Sequence, residues 1–136
     1  MEEYRGAKLT IRYCEQPLAD SEGEPWMPPS LREALGSIQA GKHATCMSQL
    51  AARREHLANA GRLRSPDHWN TEARLPNGSR FYAIKVGKLR AYGWFSTRYK
   101  GVFYISHFAF KKGQKLSSQD EQRVIKNWRR IEEQNP

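Results

Sequence analysis

RFYAIKVGKLRAYGWFSTRYKGVFYISHFAFKKGQK, residues 80–115, is the stretch that decides the fold of this chain. Three runs within it read as strands: FYAIKV at 81–86, LRAYGWF at 89–95 and GVFYISHFAF at 101–110, each rich in aromatic and β-branched residues. Gly87 and Lys88 form a link short enough for a tight hairpin turn and residues 96–100 a longer one, so the three are expected to pair as an antiparallel meander. The last run is apolar on both parities, Phe103 and Ile105 against Tyr104 and Phe108. That pattern predicts a central strand covered on both faces.

Beyond this block, Ser118-x-x-Glu121 has the form of a helix cap, and Val124, Ile125, Trp128 and Ile131 follow as one apolar stripe. On the other side lies a polar connector containing Arg62, Arg64, Pro66 and Asp67. Before it, residues 45–60 carry Met47, Leu50, Ala51, Leu57 and Ala58 at helical spacing, with Gly61 placed as a left-handed C-cap. A shorter helix is expected to open on a capping box of Ser30 and Glu33, to continue through Leu31, Leu35 and Ile38 and to end at Gly41, giving a helical hairpin. Residues 15–29, with their acids, Gly23, Pro25, Pro28 and Pro29, read as an irregular loop, and KLTIRY at 8–13 as an opening strand. The expected fold is therefore α+β, one domain over 1–136 in the order β-α-α-β-β-β-α, with an antiparallel sheet of about four strands, an N-terminal helical hairpin and a C-terminal helix.

Charge points to the same block. Residues 1–79 hold ten basic and ten acidic side chains, residues 80–136 thirteen and four, so the second stretch supplies the whole net charge of +9. Between 80 and 115 there are nine Lys and Arg, no Asp or Glu, and ten of the fifteen Phe, Trp and Tyr residues. Cations gain by displacing counterions from phosphates and rings stack on unpaired bases, so the expected partner is RNA. Cys14 and Cys46 form no Cys-x-x-Cys pair and read as buried free thiols. His43, His56 and His68 have no zinc-ligand spacing, and there is no glycine-rich phosphate loop or paired-carboxylate motif, so no metal or other cofactor is expected. The Arg53-Arg54 pair reads as a solvated face. A start of Met1-Glu2-Glu3 and the lack of a long apolar run predict a cytoplasmic protein with no membrane partner.

Three segments resemble the RelE/HigB superfamily of toxins from bacterial toxin-antitoxin modules, most closely its phage-derived HigB-like branch. FYAIKV with Lys85 is similar to one family strand, GKLRAYGWF with Arg90 to the next, and HFAFKKGQKLS at 107–117 to the segment that leads into the last helix. Lys85 stands where the family has arginine, and Ser117 where it has proline. The resemblance covers residues 81 to about 133. It implies helices on one face of an antiparallel sheet and a basic cleft on the other. It also implies a metal-independent mRNA endonuclease, working on the ribosome and inhibiting translation, with a helix-turn-helix antitoxin as its protein partner. In such a reaction the ribose 2′-hydroxyl attacks the adjacent phosphate, and fixed cations stabilise the phosphorane. Three alternatives stay open: a ParE-like toxin that poisons gyrase, a non-catalytic RNA-binding protein, and a mobile-element protein that keeps the fold without the activity.

Arg90 heads the candidate catalytic residues, because its planar fork can hold two phosphate oxygens. Lys112 is the second cation; Lys111 and Lys112 are expected to leave the last strand in opposite directions, so that at most one faces the cleft. His107 could act as general acid or base, although it shares parity with Phe103 and Ile105 and could equally be a hydrogen-bonded core histidine. Tyr92 shares parity with Arg90 and Trp94 and reads either as a base-stacking or proton-donating group or as packing. Lys85, Lys88, Arg98, Lys100, Lys111 and Lys115 complete the expected RNA-binding set.

Overall fold

The computed structural model describes residues 3–16, 27–113 and 115–133. Six strands, β1 (Glu3–Arg5), β2 (Thr10–Tyr13), β3 (Trp69–Arg74), β4 (Arg80–Val86), β5 (Leu89–Phe95) and β6 (Val102–Phe110), form one sheet in the order β1-β2-β6-β5-β4-β3. Three α-helices pack on it: α1 (Pro29–Leu35), α2 (His43–Ala60) and α3 (Ser118–Glu132). The fold is α+β, as expected, but the sheet is larger and mixed. β2 runs parallel to β6, with Ile11 opposite Phe103, while every other pair is antiparallel.

The two extra strands come from segments whose sequence does not read as strand. Residues 3–5 pair only with β2, and WNTEAR at 69–74, inside the polar connector, pairs only with β4. Both are edge strands with one face exposed in part, where polar residues are tolerated and the alternation signal is weak. The meander itself forms as its pattern predicts. Gly87 has φ +58° and Lys88 does not share a positive φ, the signature of a two-residue type II′ turn between Val86 and Leu89.

Two cores follow, one on each face of the sheet. The first packs Leu31, Leu35, Cys46 and Leu57 of α1 and α2 against Ile11, Ile84, Ala91, Phe103, Ile105 and Phe108. The second packs Val124 and Trp128 of α3 against Phe81, Ala83, Tyr92, Trp94 and Tyr104. Helices therefore cover both faces, not one. β6 lies between β2 and β5 with both its faces buried, which explains why apolar residues occupy both of its parities.

The helix ends differ from the sequence expectation in instructive ways. α2 stops at Gly61 with φ +84°, as its C-cap pattern predicts. α1 opens after Pro28 with no side-chain cap, and it ends at Leu35, not at residue 41. Ser30 is buried, hydrogen bonded to Glu15, and its hydroxyl accepts the Phe108 amide at 2.7 Å. The serine thus satisfies the edge of β6 where β2 has ended, and it cannot serve a capping box. α3 is capped one residue earlier than expected: Ser117 accepts the Asp120 amide at 3.0 Å. Residues 17–26 of the expected loop lie outside the described residues.

Arg53 and Arg54 are half-buried ties between α2 and the sheet, not a solvated face. Arg53 Nε donates to the Lys85 carbonyl at 2.7 Å, and Arg54 donates to the Tyr13 hydroxyl at 3.1 Å while its guanidinium lies over the Tyr4 ring. Cys14 and Cys46 are free and buried, and burial pushes the Cys14 thiol up to about 12. No helix among the described residues is long and apolar enough to cross a membrane.

Candidate nucleic-acid interface

The tip of the β4–β5 hairpin and the end of β6 meet at one end of the sheet, and both carry cations. The Lys111 amide donates to the Lys88 carbonyl at 2.8 Å, so the segment leaving β6 is fastened to the turn. Lys88, Arg90, Lys111, Lys112 and Gly113 line a cleft of about 370 Å³ there. Four positive charges converge on it, and no carboxylate lines it. Concave, like-charged surroundings of this kind raise the local potential and draw in an anion.

Arg90 is oriented by the turn beside it. Its Nη1 donates to the Gly87 carbonyl at 2.6 Å and to the Leu89 carbonyl at 3.1 Å. Its Nε is buried and has no hydrogen-bond partner among the described residues. A buried N–H left unpaired is costly, and a phosphate oxygen entering the cleft is the kind of acceptor that would relieve it. Lys111 and Lys112 both line the cleft, contrary to the alternation expected of them, because β6 ends at Phe110 and the chain beyond is no longer a pleated strand.

A second cleft of about 400 Å³ adjoins the first and shares Lys111, Lys112 and Gly113 with it. Lys115 lines it, as do Tyr92, Glu33 and Asp120. Here the charge is mixed. The hydrogen bond from His107 and another from Ser117 hold the Asp120 carboxyl below the usual carboxylate range, against the opposing effect of partial burial.

His107 lines neither cleft, and Tyr92 meets the second only as part of its buried wall. His107 is 1 % exposed, with Nε2 2.8 Å from Asp120 and Nδ1 2.8 Å from the Ser106 hydroxyl, which in turn accepts from Asn127 at 2.9 Å. An ionised carboxylate only accepts, so Nε2 carries the proton donated to Asp120. The histidine joins β6 to α3 and is a buried structural residue. Its parity is the reverse of that read from the sequence, because the β5–β6 register slips between Tyr92 and Gly93 and leaves Ser106 as a bulge. After the bulge, odd residues face α3 where even ones did before. Tyr92 is 2 % exposed, edge-on to Phe81 and beside His107, and burial pushes its phenol well up. It is packing.

The remaining expected RNA contacts disperse. Lys85 is opposite Arg90 in register, but its Nζ donates to the Pro66 carbonyl at 3.0 Å and it does not line the cleft. Arg98 and Lys100 sit in the β5–β6 loop, five residues along β5 from Arg90 and more, hence roughly 17 Å or further away at the opposite end of the sheet. There Arg98 donates to the Ile131 carbonyl at 3.0 Å. A run of charge in sequence is thus two separate surfaces in space.

On the α1–α2 face of the same hairpin tip, an apolar groove of about 550 Å³ also reaches Lys88. Ile38, Cys46, Val86 and Phe110 supply its floor, and Gln39, Lys42, Thr45 and Gln49 its rim. Nothing in the sequence marks it, since it draws its lining from four segments that only the fold brings together. Among the described residues no group of three or more His, Cys, Asp or Glu is placed to hold a metal ion. Comparison with protein-family models, with curated proteins and with solved structures finds no match.

Proposed function

We propose that this chain binds RNA through the cationic cleft and acts as a RelE/HigB-like toxin, a metal-independent endonuclease that cuts messenger RNA on the ribosome and is held in check by a small helix-turn-helix antitoxin. The observation that carries this reading is the convergence of Lys88, Arg90, Lys111 and Lys112 on one acid-free cleft. Such a cleft can hold a phosphodiester and, with preorganised donors, stabilise the extra charge of a phosphorane without a metal. Arg90 and Lys112 keep the electrostatic roles expected of them; His107 and Tyr92 do not enter the chemistry.

A second reading, RNA binding without cleavage, is favoured by that same burial of His107 and Tyr92, since the four-cation cleft is lined by Lys, Arg and Gly alone and no histidine or carboxylate lines it to move a proton. Single-turnover cleavage on programmed ribosomes separates the two. The toxin reading expects Arg90→Ala to slow cutting by about 10²- to 10³-fold with the fold intact by circular dichroism. Cutting by the variant within threefold of wild type contradicts a catalytic Arg90. If the wild type binds RNA and never cuts, the binding protein is what remains; if it stops growth without cutting or binding RNA, gyrase becomes the target to assay.

A further inference from the structure

The cationic cleft and the apolar groove lie on opposite sides of one two-residue turn. Lys88 lines both, and Lys111, fastened to Lys88 through the backbone, follows directly on Phe110, which lines the groove. A phosphate-binding surface and an apolar slot therefore share a rim only one side chain wide. A nucleotide has this same division: an anionic phosphate at one end, and at the other a flat ring with an apolar face and polar edges. A nucleotide laid across the turn would put its phosphate on one side and its base on the other.

We propose that the groove is a base-binding subsite, seating the base of an unpaired RNA nucleotide whose phosphate is held by Lys88 and its neighbours in the cleft. This rests on the RNA-binding reading of the cleft and adds to it the class of substrate, single-stranded with an unstacked base, and the residues that choose the base. Phe110 and Ile38 present apolar surface to the ring face. Gln39, Gln49 and Thr45 stand at the rim, and each can both donate and accept a hydrogen bond, as the edge of a base requires. Lys42 and Lys88 bring positive charge to the mouth, and no carboxylate lines the groove, so an approaching anionic strand meets no repulsion there. A hydrophobic peptide would make no use of the two lysines.

The test is equilibrium binding of a fluorescent single-stranded hexanucleotide and of an abasic strand of the same length, to the full chain and to two variants. Thr45→Trp fills the groove from an exposed position on α2; Ser48→Trp places the same ring at an exposed position that does not line it. The expected result is that wild type and Ser48→Trp prefer the base-bearing strand by about tenfold or more, as base–aromatic stacking supplies. Thr45→Trp should lose that preference and bind both strands as wild type binds the abasic one. Equal binding of both strands by wild type overturns the subsite while leaving the phosphate cleft standing, as does an unchanged preference in Thr45→Trp. If wild type binds neither strand, the RNA reading itself falls and the subsite with it.

Discussion

The Lys111 amide lies 2.8 Å from the Lys88 carbonyl, and this one bond closes the ring of cations at the end of the sheet. Without it the segment after β6 would leave the sheet unattached, and Lys111 and Lys112 would be two lysines on a loose tail. With it they face Lys88 and Arg90 across a cleft. The charge is thus positioned by backbone and not by salt bridges: among the described residues none of the four is paired with a carboxylate, and Arg90 bonds only main-chain carbonyls.

Both lysines of the pair should therefore matter for binding. Lys111→Ala and Lys112→Ala are each expected to lower affinity for single-stranded RNA and to reduce the salt slope by about 0.7, the contribution of one phosphate contact. Fluorescence anisotropy across a salt series checks this. A variant indistinguishable from wild type would show that its lysine points to solvent.

His107 should behave as a structural residue. His107→Ala opens a cavity and leaves Asp120 and Ser106 without their shared partner, at a cost of about 2–4 kcal/mol. Thermal unfolding reads that loss. The RNA affinity of the folded variant should stay within about twofold of wild type; a large loss of affinity with an unchanged melting temperature would place the imidazole at the RNA instead.

Glu132 pins the loop that follows β5. Its carboxylate accepts from Trp94 Nε1, the Ser96 and Thr97 hydroxyls and the Thr97 and Arg98 amides. Burial alone would raise its pKa, but the hydrogen bonds from Ser96, the Arg98 amide, Trp94 and Thr97 outweigh it and hold the carboxyl below its ordinary value. Asp120 is held low as well. A folded-state pKa below the unfolded one gives stability that is present at neutral pH and is lost as pH falls through about 4.3 for Glu and 3.9 for Asp toward the folded values. Glu132→Gln should lower the melting temperature at pH 7 and flatten its fall between about pH 5 and 3. Parallel curves for the two proteins would contradict this.

α3 is held by its apolar stripe. Val124 is fully buried and Trp128 is 5 % exposed, within the core that also contains Trp94 and Tyr104. Trp128→Ala should cost about 3–5 kcal/mol. An unchanged midpoint in urea unfolding would mean that α3 is not docked in solution.

How much of this was legible in the sequence depended on whether a signal is local. The hairpin turn at Gly87, the both-faced burial of β6, the Gly61 cap and the Val124 and Trp128 stripe all follow from patterns a few residues long. The cluster of Lys88, Arg90 and Lys112 was within reach because turn and strand end are close in sequence to the residues they position. What escaped was non-local. Ser30 was drawn from a helix cap to the edge of β6, a bulge at Ser106 reversed the parity of His107, and the parallel β2–β6 pairing has no sequence mark. The acid-free block also concealed a distance, since strands carry Arg98 and Lys100 to the far end of the sheet from Arg90.

Salt dependence of RNA binding tests the cleft most directly. Four cations on single-stranded RNA predict that log K falls against log salt with a slope near −2.8, and that Lys111→Ala/Lys112→Ala halves it to about −1.4. Arg98→Ala/Lys100→Ala, at the other end of the sheet, should leave the slope unchanged. A wild-type slope near zero, or a slope that the distal pair changes and the cleft pair does not, would contradict the assignment of RNA binding to this cleft.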